Sequence, residues 1–193
     1  MKIGLFGGTF DPVHLGHLLL AEQCREELEL DEVRFLPAAS NPLKETGPVA
    51  DGPQRCEMVQ FAISGNPAFS VDRREVKRGG PSFAVETLAE VAAENPEAEL
   101  FFLMGADALS DLPNWKEPER VLELATVVAV NRGDVPAVVP DGVNADRVRF
   151  VAMPACDVSA TELRRRAAEG LSLRYRTPAA VIAYLHDKYL YRI

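Results

Sequence analysis

Cysteine is scarce in this sequence: Cys24, Cys56 and Cys156 are the only three, and no two are close together. Without a CxxC pair, zinc ribbons and thioredoxin-like redox motifs are excluded. An odd, scattered set fits a reduced, cytoplasmic setting. Histidine is equally sparse. A zinc site built on His14 and His17 would need further ligands, and the third histidine, His186, lies far along the chain. Basic residues are outnumbered, with 21 Lys+Arg against 29 Asp+Glu and a net charge of −8. That balance excludes the basic surface on which binding of nucleic acid or an anionic membrane depends. A small phosphorylated ligand remains possible, because a few local cations suffice. No apolar run approaches the ~20 residues of a membrane span. The run from Met1 to Gly8 is too short and too broken by glycine to read as a signal peptide.

What is present is an ordinary globular composition, 47% hydrophobic and 26% charged over 193 residues. It is enough for one domain, 1–193, with a full core and no disulfide or structural metal. Strand and helix patterns alternate along it. Strands are expected at Lys2–Phe6, Glu32–Pro37, Phe69–Val76, Leu100–Met104, Thr126–Val130 and Arg147–Ala152. Helices are expected at His14–Glu29, Asp51–Ser64, Ser82–Asn95 and Glu119–Leu124. Asp51 reads as a cap, with Pro53 in the first turn. A capping box at Ser159 and Glu162 opens a helix that stops at Gly170. A last helix has Thr177 as cap and Pro178 at its first position and runs to about Leu190. The order predicts an α/β fold: a doubly wound, mostly parallel sheet with helices on both faces. Gly133 to Gly142, rich in proline and glycine, reads as a surface loop.

The most informative segment is GGTFDPVHLGH, from Gly7 to His17, where the first strand meets the first helix. Ligands of doubly wound sheets bind at the carboxyl ends of strands. Glycines there let backbone N–H groups approach a phosphate, and the following helix N-terminus favours anions. His14 and His17, three apart, can face one side of the first turn. The segment contains neither a GxGxxG fingerprint nor a GxxxxGK[ST] loop.

GGTFDPVHLGH resembles the signature of the bacterial nicotinate mononucleotide adenylyltransferases, within the nucleotidyltransferase superfamily that carries an HxGH motif. Four later segments are similar to further motifs of that family: LPAASNPLK (Leu36–Lys44), RREVKRGGPSFAVETL (Arg73–Leu88), MGADALSDLPNWKEPERV (Met104–Val121) and VSATELRRR (Val158–Arg166). The likeness runs over essentially the whole chain, in order. Phe83-Ala84 stands where the family often has Tyr-Thr, so side-chain hydroxyl contacts cannot be carried over at those two positions.

The resemblance implies a Rossmann-like nucleotidyltransferase that joins ATP to nicotinate mononucleotide, giving nicotinate adenine dinucleotide and pyrophosphate in NAD biosynthesis. His14, His17 and Arg164 are the implied catalytic residues. Gly8, Thr9, Phe10, Gly105, Asp107, Ser159 and Thr161 would join them in binding ATP. The C-terminal helices, about 159–190, would carry this second phosphate motif. Asp107 also reads as a helix cap before Ala108. Lys44, Ser82, Phe83, Ala84 and Trp115 would bind the acceptor, with Trp115 against the pyridine ring. Successive arginines step ~100° around a helix, so Arg164, Arg165 and Arg166 cannot all face one site, and the resemblance picks Arg164 as the matching one. Mg²⁺ is implied as the ATP complex, with no protein ligand assigned. Two alternatives stay open at this point: adenylyl transfer to nicotinamide mononucleotide or pantetheine phosphate, and a nucleotide sensor without catalysis.

Overall fold

The computed structural model describes residues 1–43, 46–132 and 138–192, without the side chain of Arg132. Six parallel strands form one sheet: β1 (Lys2–Gly8), β2 (Glu32–Pro37), β3 (Phe69–Val71), β4 (Glu99–Gly105), β5 (Thr126–Arg132) and β6 (Val148–Met153). Their spatial order is β3-β2-β1-β4-β5-β6. The sheet is therefore doubly wound, and its order reverses between β1 and β4, side by side at the centre. Such a switch point leaves a crevice beyond the carboxyl ends of the strands.

Alternation along the buried strands assigns each side chain to one face. In β4, Leu100, Phe102 and Met104 enter one core, while Phe101 and Leu103 enter the other. Ile3 and Leu5 of β1 join the first of these, and Phe6 joins the second. Helices α1 (Leu15–Glu27), α2 (Gly52–Ile63), α6 (Ala160–Ala168) and α7 (Ala179–Asp187) contribute to the Phe6 side. The opposite side is packed by α4 (Ala84–Glu94), α5 (Pro118–Leu124) and a 3₁₀ segment, Ala106–Asn114. A short helix, α3 (Arg74–Arg78), follows β3.

Several boundaries differ from expectation for local reasons. The third strand stops at Val71 instead of Val76, because the Asp72 carboxylate accepts the Arg74 N–H and turns the chain into α3. The helix expected from Ser82 begins at Ala84 with Phe83 as cap; the Ser82 N–H donates to the Ser40 carbonyl instead. Thr177 does not cap α7. Its hydroxyl donates to the Val13 carbonyl, Pro178 takes the cap position and the helix ends at Asp187. Ser159 does cap α6 by accepting the Glu162 N–H, but the Glu162 carboxylate pairs with Arg165 instead of closing a capping box. The strand β2 has the expected bounds, and the remaining elements shift by one or two residues at their ends. Of the loop expected at Gly133 to Gly142, residues 133–137 lie outside the described residues.

Candidate active site

Two adjoining cavities open at the carboxyl ends of the central strands. They share Thr9, Ala38 and Asn41 as lining residues. The first, about 250 Å³, is mainly apolar, with Phe83, Ala84, Phe102, Met104 and Trp115 in its wall. The second, about 460 Å³, is polar and takes in Phe10, Asp11, His17, Thr161 and Arg164.

The turn after β1 builds the junction. Gly8 must be glycine, because a Cβ there would lie 2.7 Å from the Phe10 ring. Phe10 itself is in the left-handed region at φ 50° and is buried. His14 caps α1, and the His17 N–H donates to the His14 carbonyl. The two imidazoles stack with centroids 3.6 Å apart. The His14 backbone N–H donates to His17 Nδ1 at 3.2 Å. With Nδ1 accepting, the neutral ring carries its proton on Nε2, a donor for an anion. His17 lines the polar cavity, whereas His14 is buried and lies outside both linings. The Leu15 N–H, at the start of α1, donates to the Arg176 carbonyl.

Arg164 comes to the same cavity from α6. Its Nη1 donates to the Asp11 carbonyl at 2.7 Å and its Nη2 to the Thr161 hydroxyl at 3.3 Å. Arg165 is turned away and pairs with Glu162 and Glu169; Arg166 donates to the Ser172 carbonyl. Asp11, which sequence reasoning passed over, is almost fully buried. Its carboxylate accepts the Val49 and Ala50 N–H groups and the Tyr191 hydroxyl. Among the described residues Asp11 is the one carboxylate lining this cavity, and those donors make it a structural anchor. Among the described residues there is no cluster of three or more His, Cys, Asp or Glu able to hold a metal ion.

The apolar cavity is organised by the segment before α4. Gly79 and Gly80 both adopt positive φ, 71° and 68°, which glycine allows without strain. The Ser82 hydroxyl accepts the Ala39 N–H, tying this segment to the loop after β2. The Glu86 and Thr87 N–H groups return to the Phe83 carbonyl. Ala84 and Val85 are then first-turn positions whose N–H groups an α-helix does not itself use. Trp115 meets the Phe102 ring edge-on at 5.6 Å, and its buried Nε1–H has no hydrogen-bond partner among the described residues. Lys116 sits 4.7 Å over the Phe83 ring and pairs with Glu86 at 2.7 Å. Glu75 also lines this cavity; burial pushes its carboxyl up, against hydrogen bonds from Thr87 and Ser82.

Of the expected site residues, the structure gathers Gly8, Thr9, Phe10, His17, Thr161, Arg164, Ser82, Phe83, Ala84 and Trp115 around these cavities. Gly105 ends β4, and Asp107 is exposed inside the 3₁₀ segment instead of capping it; neither is among the described residues lining these two cavities, nor is exposed Ser159. Lys44 lies outside the described residues. Asn41, Glu75 and Lys116 were not anticipated. The available signal was that each lies in a motif segment, Leu36–Lys44, Arg73–Leu88 or Met104–Val121.

A cytidylyltransferase-like family model matches residues 5–166. The chain is 47% identical to a protein of Thermus thermophilus named "probable nicotinate-nucleotide adenylyltransferase", over the whole of both chains. It is 42% identical to a protein of the same name from Thermomicrobium roseum, covering 99% of this chain and 92% of that one. In fold, it is similar to the Plasmodium falciparum nicotinic acid mononucleotide adenylyltransferase complexed with NaAD. That match has a TM-score of 0.79 at 15% identity and covers 98% of this chain and 97% of the other.

Proposed function

The chain belongs to the cytidylyltransferase-like family and, within it, to the nicotinate-nucleotide adenylyltransferases, and from that premise we propose how its two cavities divide one reaction. The reaction is adenylyl transfer from ATP to nicotinate mononucleotide, yielding nicotinate adenine dinucleotide and pyrophosphate. The observation that carries the assignment of roles is the adjacency of a polar cavity holding His17 and Arg164 to an apolar one holding Trp115. The acceptor's pyridine ring occupies the apolar cavity. The phosphates of both substrates meet in the polar one, near Thr9.

A phosphate monoester, with a second pKa of ~6, is already ionised at pH 7. Its oxygen attacks the α-phosphorus of ATP, the bond from that phosphorus to the bridging oxygen breaks, and pyrophosphate leaves with the electron pair. No side-chain nucleophile takes part. The protein aligns the reactants and offsets charge. His17 Nε2–H and the Arg164 guanidinium supply the donors. Mg²⁺ enters with ATP as part of the substrate and neutralises phosphate charge there. Three free cysteines suit a cytoplasmic enzyme.

The acceptor's carboxylate is read by the start of α4. The Ala84 and Val85 N–H groups, the helix dipole and Lys116 all favour negative charge. An amide brings no charge and meets donors with another donor. Catalytic efficiency with nicotinate mononucleotide therefore exceeds that with the nicotinamide form by at least about tenfold, since unpaired polar groups are strongly rejected. The check is pyrophosphate release with each nucleotide, and with pantetheine phosphate, at matched ATP and Mg²⁺. A nicotinate-to-nicotinamide ratio near one, or below it, removes this reading of α4. Absence of turnover with every acceptor would mark a nucleotide sensor.

A further inference from the structure

Arg55 stands near the start of α2 with no side-chain surface exposed to solvent. A charge so deep is ordinarily held by a carboxylate or a dense set of hydrogen bonds. Here the guanidinium donates to three main-chain carbonyls. Nη1 reaches Thr9 at 2.8 Å, Nε reaches Ala50 at 3.2 Å and Nη2 reaches Ala39 at 3.4 Å. These carbonyls belong to three separate segments: the turn after β1, the lead into α2 and the loop after β2. Thr9 and Ala39 line the polar cavity, and Arg55 itself does not.

The Thr9 contact bears on the site directly. The next residue, Phe10, has φ 50°, a backbone conformation that bulky side chains rarely adopt. Such a conformation persists only where its surroundings hold it. In a planar trans peptide the carbonyl and the following N–H point in opposite directions. A Thr9 carbonyl drawn inward to Arg55 therefore turns the Phe10 N–H away from the core. A guanidinium spreads its donors over three nitrogens in a rigid fork and so reaches carbonyls of separate segments, whereas the three donors of an ammonium all leave one atom on a flexible stem.

We infer that Arg55 is a positioning residue, whose guanidinium holds the Thr9–Phe10 peptide and the Ala39 loop in the geometry that binds phosphate. The inference rests on the reading of the polar cavity as the phosphate site. Thr9 borders both cavities, but Phe10 and Ala39 line only the polar one, so loss of Arg55 weakens the polar cavity more than the apolar one, a selectivity that a general role in stability does not produce.

The experiment compares Arg55→Lys, Arg55→Gln and His17→Ala with the unmodified enzyme. Inorganic tripolyphosphate, titrated calorimetrically, probes the polar cavity. Nicotinate riboside, which lacks phosphate, probes the apolar cavity through fluorescence of the single tryptophan, Trp115. In a folded Arg55 variant, tripolyphosphate affinity and turnover each fall about tenfold or more, while riboside affinity stays within about twofold, because misplacing one set of contacts by an ångström is enough. Parallel loss of both affinities, or no loss of tripolyphosphate affinity, overturns the inference. So does failure of both variants to fold by circular dichroism, which would make Arg55 a requirement of the core. Undiminished tripolyphosphate binding in His17→Ala would instead remove the phosphate-site reading itself.

Discussion

His17 and Arg164 reach one cavity from opposite ends of the chain, and their surroundings give each a separate prediction. The His14 N–H fixes the His17 ring by its Nδ1, so the donor on Nε2 is in place before substrate arrives. Removing a preorganised donor to developing charge costs ~10²–10³ in rate. His17→Ala should fold normally and lose turnover on that scale in a pyrophosphate-release assay. A folded variant within about threefold of wild type, a free-energy change too small for such a donor, would end the assignment. Arg164→Ala should also lose turnover, while Arg165→Ala and Arg166→Ala remain close to wild type. Equal losses from all three would point to a diffuse field. The choice of Arg164 was legible in the sequence, because the helical step keeps three consecutive arginines from facing one site and the motif resemblance singles out Arg164. Asp11 and Arg55 were not legible in their roles. Their main partners are backbone groups, at Val49 and Ala50 for one and at Thr9, Ala39 and Ala50 for the other. No side-chain motif marks a backbone partner.

Elements were legible wherever periodicity or punctuation is strong and were misjudged at the segment from β3 to α4. Val71 to Val76 reads as a continuation of a strand, yet a single Asx turn at Asp72 redirects it into α3. The short helix then swings Glu75 inward, where the Thr87 hydroxyl of α4 donates to it at 2.8 Å. Arg74 reinforces the same joint from outside, pairing with Asp72 and with Glu94 of α4. The capping of α4 by Phe83 follows from Ser82 being held at the loop after β2, a contact 43 residues away in sequence. Glu75 carries a pH signature of this joint. Burial raises its carboxyl above the ordinary 4.5, although Arg78 and the hydroxyls of Thr87 and Ser82 work the other way and Asp72 adds to the rise. The folded protein therefore holds this proton more tightly than the unfolded chain. That contribution to stability is complete below pH 4.5 and is lost as the pH climbs through the raised value. Glu75→Gln does not titrate. Its melting temperature relative to wild type should become more favourable between about pH 4 and pH 8. A difference that stays flat, or falls, over that interval contradicts a raised pKa at this position.

Across the whole molecule, the two ends of the sequence are knitted together at the turn that borders the polar cavity. Arg164 donates to the Asp11 carbonyl, Thr177 to the Val13 carbonyl and Tyr191 to the Asp11 carboxylate at 2.6 Å. Each of these contacts spans more than 150 residues. Alternating strands and helices predicted the sheet, but pattern alone could not place the last helix and tail against the first turn. Contacts of that separation depend on the closed fold. They also bring a cation, Arg164, from a distant segment to the cavity of a chain whose net charge is −8. The Tyr191 hydroxyl is the outermost tie in this assembly and is buried. Burial, and then the Asp11 carboxylate beside it, push this phenol well above its ordinary value of 10.0. A hydrogen bond to a charged group is worth about 1.5–3 kcal/mol. Tyr191→Phe should lower stability by that order in urea unfolding at pH 7. Because the folded pKa lies above the unfolded one, the contribution is fully present below pH 10 and is lost as the pH rises beyond it. The gap between the two proteins should thus hold constant up to pH 10 and narrow above it. Equal unfolding midpoints at pH 7 would show that the tail does not hold the turn. A gap that narrows well below pH 10 would show that the phenol is not shielded as the structure requires.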